Sequence, residues 1–119
     1  MSIFTFGTKN NIITNLTPTT GSVTTDLRTG NVFRLNLTGP ITLANPTNAV
    51  DGRTYIWWIK QDGSTRTITL GSKFKIPSSA TNPLSFSAGG NKMDMLAVMY
   101  DGTKDFFYIT SMIPGYPQS

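Results

Sequence analysis

Cysteine, histidine and glutamate are all missing from this 119-residue chain. Without cysteine there is no disulfide framework and no thiolate chemistry. Without histidine the commonest general base and the commonest metal ligand are gone. The acidic side chains are six aspartates, and charged residues make up only 13% of the chain. That is about half the usual share. Long apolar runs are missing too, and none approaches the ~20 residues of a membrane-spanning helix. Met1-Ser2-Ile3-Phe4-Thr5-Phe6-Gly7 has neither the basic start nor the apolar core of a signal peptide, so synthesis in the cytoplasm with no export address is expected.

Thr, Ser, Asn and Gly take the place of the missing types. They suit strands and turns and disfavour helix interiors. The net charge is +4, with an isoelectric point near 9.6. The ten Lys and Arg are scattered, so the excess reads as a consequence of the missing glutamate rather than a polyanion-binding run.

Residues 1–20 read as an arm. Ile3, Phe4, Phe6, Ile12, Ile13 and Leu16 are apolar, and Thr17-Pro18-Thr19-Thr20-Gly21 closes the segment. So much apolar surface calls for docking on its own domain or on a neighbour. Val32 to Thr38 alternates cleanly, with Phe33, Leu35 and Leu37 opposite Arg34, Asn36 and Thr38. The run Thr54 to Lys60 leads through Asp62-Gly63 into Arg66 to Leu70, which predicts a β-hairpin. Its adjacent Trp57 and Trp58 must point to opposite faces. Because Lys60 shares the Trp58 face and favours solvent, Trp57 is expected in the core and Trp58 nearer a rim or interface. A shorter strand is expected at Leu84 to Ser87. Lys92 to Tyr100 is apolar on both faces, and Asp101-Gly102 turns it into Asp105 to Ile113 as a second hairpin.

About eight or nine short strands at regular spacing, with no capped 3.6-residue period, predict an all-β fold. The architecture expected is a single antiparallel sandwich or barrel, jelly-roll-like, spanning residues 21–113, with the arm before it and a tail at 114–119.

No arrangement of residues points to catalysis. Asp51, Asp62 and Asp101 each precede glycine and read as turn formers. The spacing of Asp101, Thr103 and Asp105 superficially suits calcium, but the loop is too short for a full ligand set. No phosphate loop or dinucleotide fingerprint occurs, and no cofactor is implied. Lys60, Arg66, Lys73 and Lys75 near Trp57, Trp58 and Phe74 resemble the pattern of single-strand binders, but read better as core aromatics with solvated edge lysines. Asn15-Leu16-Thr17 and Asn36-Leu37-Thr38 match the glycosylation triplet, and with no secretion signal read as coincidence. The surplus of strands with large groups on both faces calls for a subunit interface. The candidates are Ile3, Phe4, Phe6, Ile12, Ile13, Trp58, Phe107 and Tyr116.

Beyond these patterns stands a resemblance. It rests on Leu27-Arg28-Thr29-Gly30-Asn31-Val32-Phe33, on Leu37-Thr38-Gly39-Pro40-Ile41-Thr42-Leu43-Ala44-Asn45-Pro46, on Ile59-Lys60-Gln61-Asp62-Gly63 and on Tyr100-Asp101-Gly102-Thr103. Together they resemble a small β-domain that recurs in structural proteins of tailed bacteriophages. The resemblance implies a non-enzymatic, commonly trimeric virion protein and carries over no catalytic residue. Because the domain fills nearly the whole chain, with no shaft-like repeat, a capsid decoration (cement) protein on the capsid surface is expected. Its partners would be its own copies in a homotrimer and the major capsid protein. The alternative is a tail-fibre or head-fibre module recognising host glycan through exposed aromatics such as Tyr116 or the tryptophan pair. A nucleic-acid-binding barrel is the weakest option, and no membrane partner is implied.

Overall fold

A computed structural model describes residues 12–64, 66–77, 86 and 90–118. Ile3, Phe4 and Phe6 of the expected arm, and Leu84 of the expected short strand, lie outside the described residues. The fold is all-β. The described residues form β1 (Ile13–Asn15), β2 (Gly21–Val23), β3 (Val32–Asn36), β4 (Ile41–Leu43), β5 (Thr54–Lys60), β6 (Ile68–Leu70), β7 (Phe74–Lys75), β8 (Lys92–Asp101) and β9 (Phe106–Pro117).

The wiring differs from the expected antiparallel jelly roll. A six-stranded sheet runs in the order β1-β3-β5-β8-β9-β7, and a three-stranded sheet in the order β2-β4-β6. The pairs β1–β3, β3–β5, β2–β4, β4–β6 and β7–β9 are parallel; only β5–β8 and β8–β9 are antiparallel. From β1 to β6 the chain alternates between the sheets, so each turn of the coil lays one strand on each. Parallel neighbours normally need a long crossover. Here the crossover is a strand of the other sheet, as in solenoids built from stacked turns. Alternation shows which way a side chain points, but not which way the neighbouring strand runs.

The first predicted hairpin is therefore not one. β5 has β3 on one edge and β8 on the other, so β6 finds no free edge and pairs β4 in the second sheet. Residues 61–64 and 66–67 lie in an inter-sheet corner instead. The second hairpin is present, with β8 and β9 antiparallel through the 102–105 turn. Ile13–Asn15, read as arm, form an edge strand, and Pro114–Pro117, read as tail, continue β9.

The core fills the space between the sheets. Phe33, Leu35 and Leu37 point inward from the β3 stretch, Tyr55, Trp57 and Ile59 from β5, and Leu96 and Val98 from β8. Ile41 and Leu43 face them from β4. An aromatic chain crosses this core, from Phe33 to Trp57 at 5.6 Å, Phe74 at 5.8 Å, Phe107 at 5.5 Å and Tyr100 at 4.7 Å between successive ring centroids. Each such pair adds about 0.5–1.5 kcal/mol beyond the area it buries. Trp57 also donates its indole N–H to the buried Thr25 hydroxyl at 3.1 Å. That bond satisfies a polar group that burial would otherwise penalise.

Phe107 is part of this chain and only 1% exposed. Its candidacy as an interface residue is corrected. Adjacent residues of a strand point to opposite faces, and the core partners Phe74 and Tyr100 select Phe107 rather than Phe106. Phe106 is half-buried, with the Lys75 ammonium 4.7 Å from its ring centroid.

Candidate binding site

Two surfaces stand out once the fold is laid down. The first is the outer face of the six-stranded sheet. Register places Arg34, Trp58, Met95 and Ile113 in one row across β3, β5, β8 and β9. The next rows hold Ile56, Ala97 and Ser111, then Lys60, Met93 and Tyr116, and toward the turn Met99 with Tyr108. Alternation forces this: the inward residues of β8 are Asp94, Leu96 and Val98, so its methionines must face out. Met99, Tyr108, Ile113 and Tyr116 are each 38–45% exposed. Large apolar groups in adjacent rows mark a face suited to another surface. Trp58 is half-buried on it, with the Arg34 guanidinium 5.4 Å from its ring centroid.

The second surface is a cleft at the edge where the chain returns from the three-stranded to the six-stranded sheet. Its cavity volume is about 450 Å³, and it is lined by Ile12, Leu27, Arg28, Gly30, Asn31, Asn48, Val50 and Arg53. Binding pockets for small ligands typically run from about 300 to 1,000 Å³. The lining comes from the loops after β2 and β4, and both loops are pinned. Leu27 donates its amide to the Thr47 carbonyl at 2.9 Å, and Thr47 donates to the Thr25 carbonyl at 2.9 Å. Thr25 is itself held by Trp57. The Val50 amide donates to the Tyr55 hydroxyl at 3.0 Å, and the Tyr100 amide to the Arg53 carbonyl at 3.0 Å. On the remaining wall, Ile12 donates its amide to Asn31 Oδ1 at 2.9 Å. Gly30 permits that closure. A Cβ there would lie 2.7 Å from both the Ile12 carbonyl and the Thr14 hydroxyl. The cleft is thus preformed, and a ligand would not have to order its walls.

Asp26 organises the charges beside it. Its carboxylate accepts from Arg28 Nε at 3.2 Å, Arg28 Nη2 at 3.0 Å, the Arg28 amide at 3.0 Å and Asn48 Nδ2 at 3.1 Å. The Arg28 side chain foremost, then its amide and Asn48, hold the Asp26 pKa far below the usual carboxylate range. Arg28 is thereby charge-compensated. Arg53 is exposed, and among the described residues its guanidinium has no partner.

The remaining aspartates serve turns. Asp62 accepts from the Ser64 amide and from Arg66, and Asp101 from the Thr103 and Lys104 amides and the Tyr108 hydroxyl. Asp105 binds Lys73 and accepts from the Tyr100 hydroxyl at 2.6 Å. Asp105 and burial push the Tyr100 pKa up to about 12. Asp94 differs from these. It is buried in mid-β8 and accepts the Gly115 amide at 3.0 Å, where β9 bulges.

Of the interface candidates, Trp58 and Tyr116 share the outer face, while Ile12 and Ile13 lie at the β1 edge, 49% and 47% exposed. Trp57 and Phe74 are buried, so neither can stack on a base or a sugar. Arg66 and Lys73 are occupied by Asp62 and Asp105. The basic and aromatic residues noted in the sequence therefore do not form one platform. The cleft was missed, because its residues come from three separate stretches with no local pattern.

A family model described as "Putative phage tail fibre C-terminal domain" matches residues 16–105, from the end of β1 through the second turn. No curated protein and no solved structure matches the chain.

Proposed function

The chain belongs to the phage tail fibre C-terminal domain family, and from that premise we propose that it is a receptor-facing module of a tail fibre. It is a structural component of a phage virion. The observation that carries the finer reading is the family match, which takes in β2 through β8 and every lining residue of the cleft except Ile12. The decoration role expected from the resemblance shares the same virion setting. The tail-fibre alternative fits the match at least as well and is adopted.

In this reading the two surfaces have separate tasks. The outer sheet face, centred on Trp58, Met95 and Ile113, packs against other copies in a homotrimer. Its exposed apolar rows support that, since a single sheet face of this kind gains from burial at about 25 cal/mol per Å². The loop edge stays free and meets a host surface glycan. Gold-labelled antibody against the protein is expected to decorate tails in electron micrographs. Purified protein is expected to compete with intact phage for adsorption to host cells. Labelling confined to heads, together with no competition, would return the protein to the capsid.

A further inference from the structure

We infer that the cleft between the loops after β2 and β4 binds a sugar residue that carries a carboxylate. This rests on the tail-fibre reading for the source of the sugar, but its chemistry follows from the lining alone.

The lining is rich in donors. Arg28, Arg53, Asn31 and Asn48 supply its charged and amide side chains, and no carboxylate lines it among the described residues. Asp26 lies alongside and is already shared by Arg28 and Asn48. The Asp26–Arg28 pair is neutral as a unit, so the lining presents one uncompensated charge, on Arg53. That count suits a monocarboxylate better than a phosphate dianion. An Arg guanidinium offers a planar fork of N–H groups that matches a carboxylate with two parallel hydrogen bonds.

The amides complete the match. Asn31 uses its Oδ1 on the Ile12 amide, leaving its NH₂ as a donor. Asn48 uses its NH₂ on Asp26, leaving its Oδ1 as an acceptor. One free donor and one free acceptor are what ring hydroxyls need. Ile12, Leu27 and Val50 give an aliphatic surface for the C–H face of the ring. The same side chains leave nothing for a ligand recognised by aromatic stacking, since no ring lines the cleft among the described residues.

The test is a titration of full-length, isotope-labelled protein with a glucuronic acid oligosaccharide and with its carboxyl-reduced, neutral counterpart, followed by amide NMR shifts. The acidic form is expected to shift amides around 28–31 and 48–53, and to bind at least about tenfold more tightly than the reduced form. Arg53→Gln is expected to lose about that factor, with its other amide shifts unchanged, and Arg53→Lys to recover part of it. Equal affinity for the two oligosaccharides, indifference to Arg53→Gln, shifts confined to the outer sheet face, or equally tight binding of inorganic phosphate would each overturn the assignment. The tail-fibre reading fails separately: it falls if the protein does not compete for adsorption, whatever the oligosaccharide does. If wild type and Arg53→Gln compete equally well, the fibre reading stands and the cleft assignment falls.

Discussion

The two Asp-Gly loops look alike in sequence and do different work. Asp101-Gly102 closes a true antiparallel hairpin between β8 and β9. Asp62-Gly63 carries the chain away from β5 into the other sheet. Neither glycine has a left-handed φ; at the second turn that role falls to Asp105, at φ 59°. What separates them is what lies around. At the first loop the fully buried Gln61 accepts the Arg66 amide at 2.9 Å, which clamps the corner. At the second, the Gly102 amide donates to Asp51 Oδ1 at 2.7 Å, which docks the turn on the loop that carries Arg53. Turn residues mark where a chain reverses, while the free edges of its strands decide where it goes next.

The largest expected effect is common to both loops. Trp57→Ala should cost about 3–5 kcal/mol, because one core supports both. Denaturant unfolding would show it. Loops 61–67 losing hydrogen-exchange protection while 101–105 keep theirs would break the view of a single core. Trp58→Ala should cost monomer stability far less and act on assembly, read by sedimentation. Next comes Gln61→Leu, which strands the Arg66 amide and should cost about 1–3 kcal/mol. No counterpart at the second turn is buried in this way, so Thr103→Ala should stay within about 0.5 kcal/mol.

The glycines should separate as well. A Cβ at Gly102 would lie 3.0 Å from Asp51 Cβ, whereas nothing lies within 4 Å of one at Gly63. Gly102→Ala should therefore destabilise by about 1 kcal/mol. Gly63→Ala should be neutral or stabilise by up to about 1 kcal/mol, through a less flexible unfolded chain. Equal effects in thermal melts would remove the distinction.

The smallest expected effect is that of pH. Arg66, then the Ser64 amide, holds Asp62 below its ordinary 3.8. Tyr108, then the Lys104 amide, does the same for Asp101, and Lys73, then Tyr100, for Asp105. In each case the unfolded chain binds the proton more readily. The stabilisation is complete above 3.8 and drains as pH falls through the lower folded values. The second turn has two such groups and the first has one, so amides at 101–108 should lose protection first on acidification. Tyr100 works in the opposite sense. Its contribution is present below its ordinary 10.0 and is lost as pH rises toward about 12.

Much of the side-chain pattern was legible in the sequence. The inward sets Phe33/Leu35/Leu37 and Tyr55/Trp57/Ile59 follow from period-2 alternation together with the polar residues opposite them, whereas alternation grouped the β8 methionines on one face and the structure shows that face to be the outward one. The cleft left no comparable trace, because Ile12, Arg28 and Arg53 meet only after the coil has stacked.

By itself, the sequence determined that the chain is all-β, which residues of a strand share a face, and that it has neither thiol nor imidazole chemistry. These depend on residue type and on a period of two, both local. Tertiary structure alone decided the parallel pairing, the fate of each Asp-Gly loop, which of Phe106 and Phe107 is buried, and the existence of the cleft. Those depend on which strand edge is free and which partner is near. Competition among distant segments settles both.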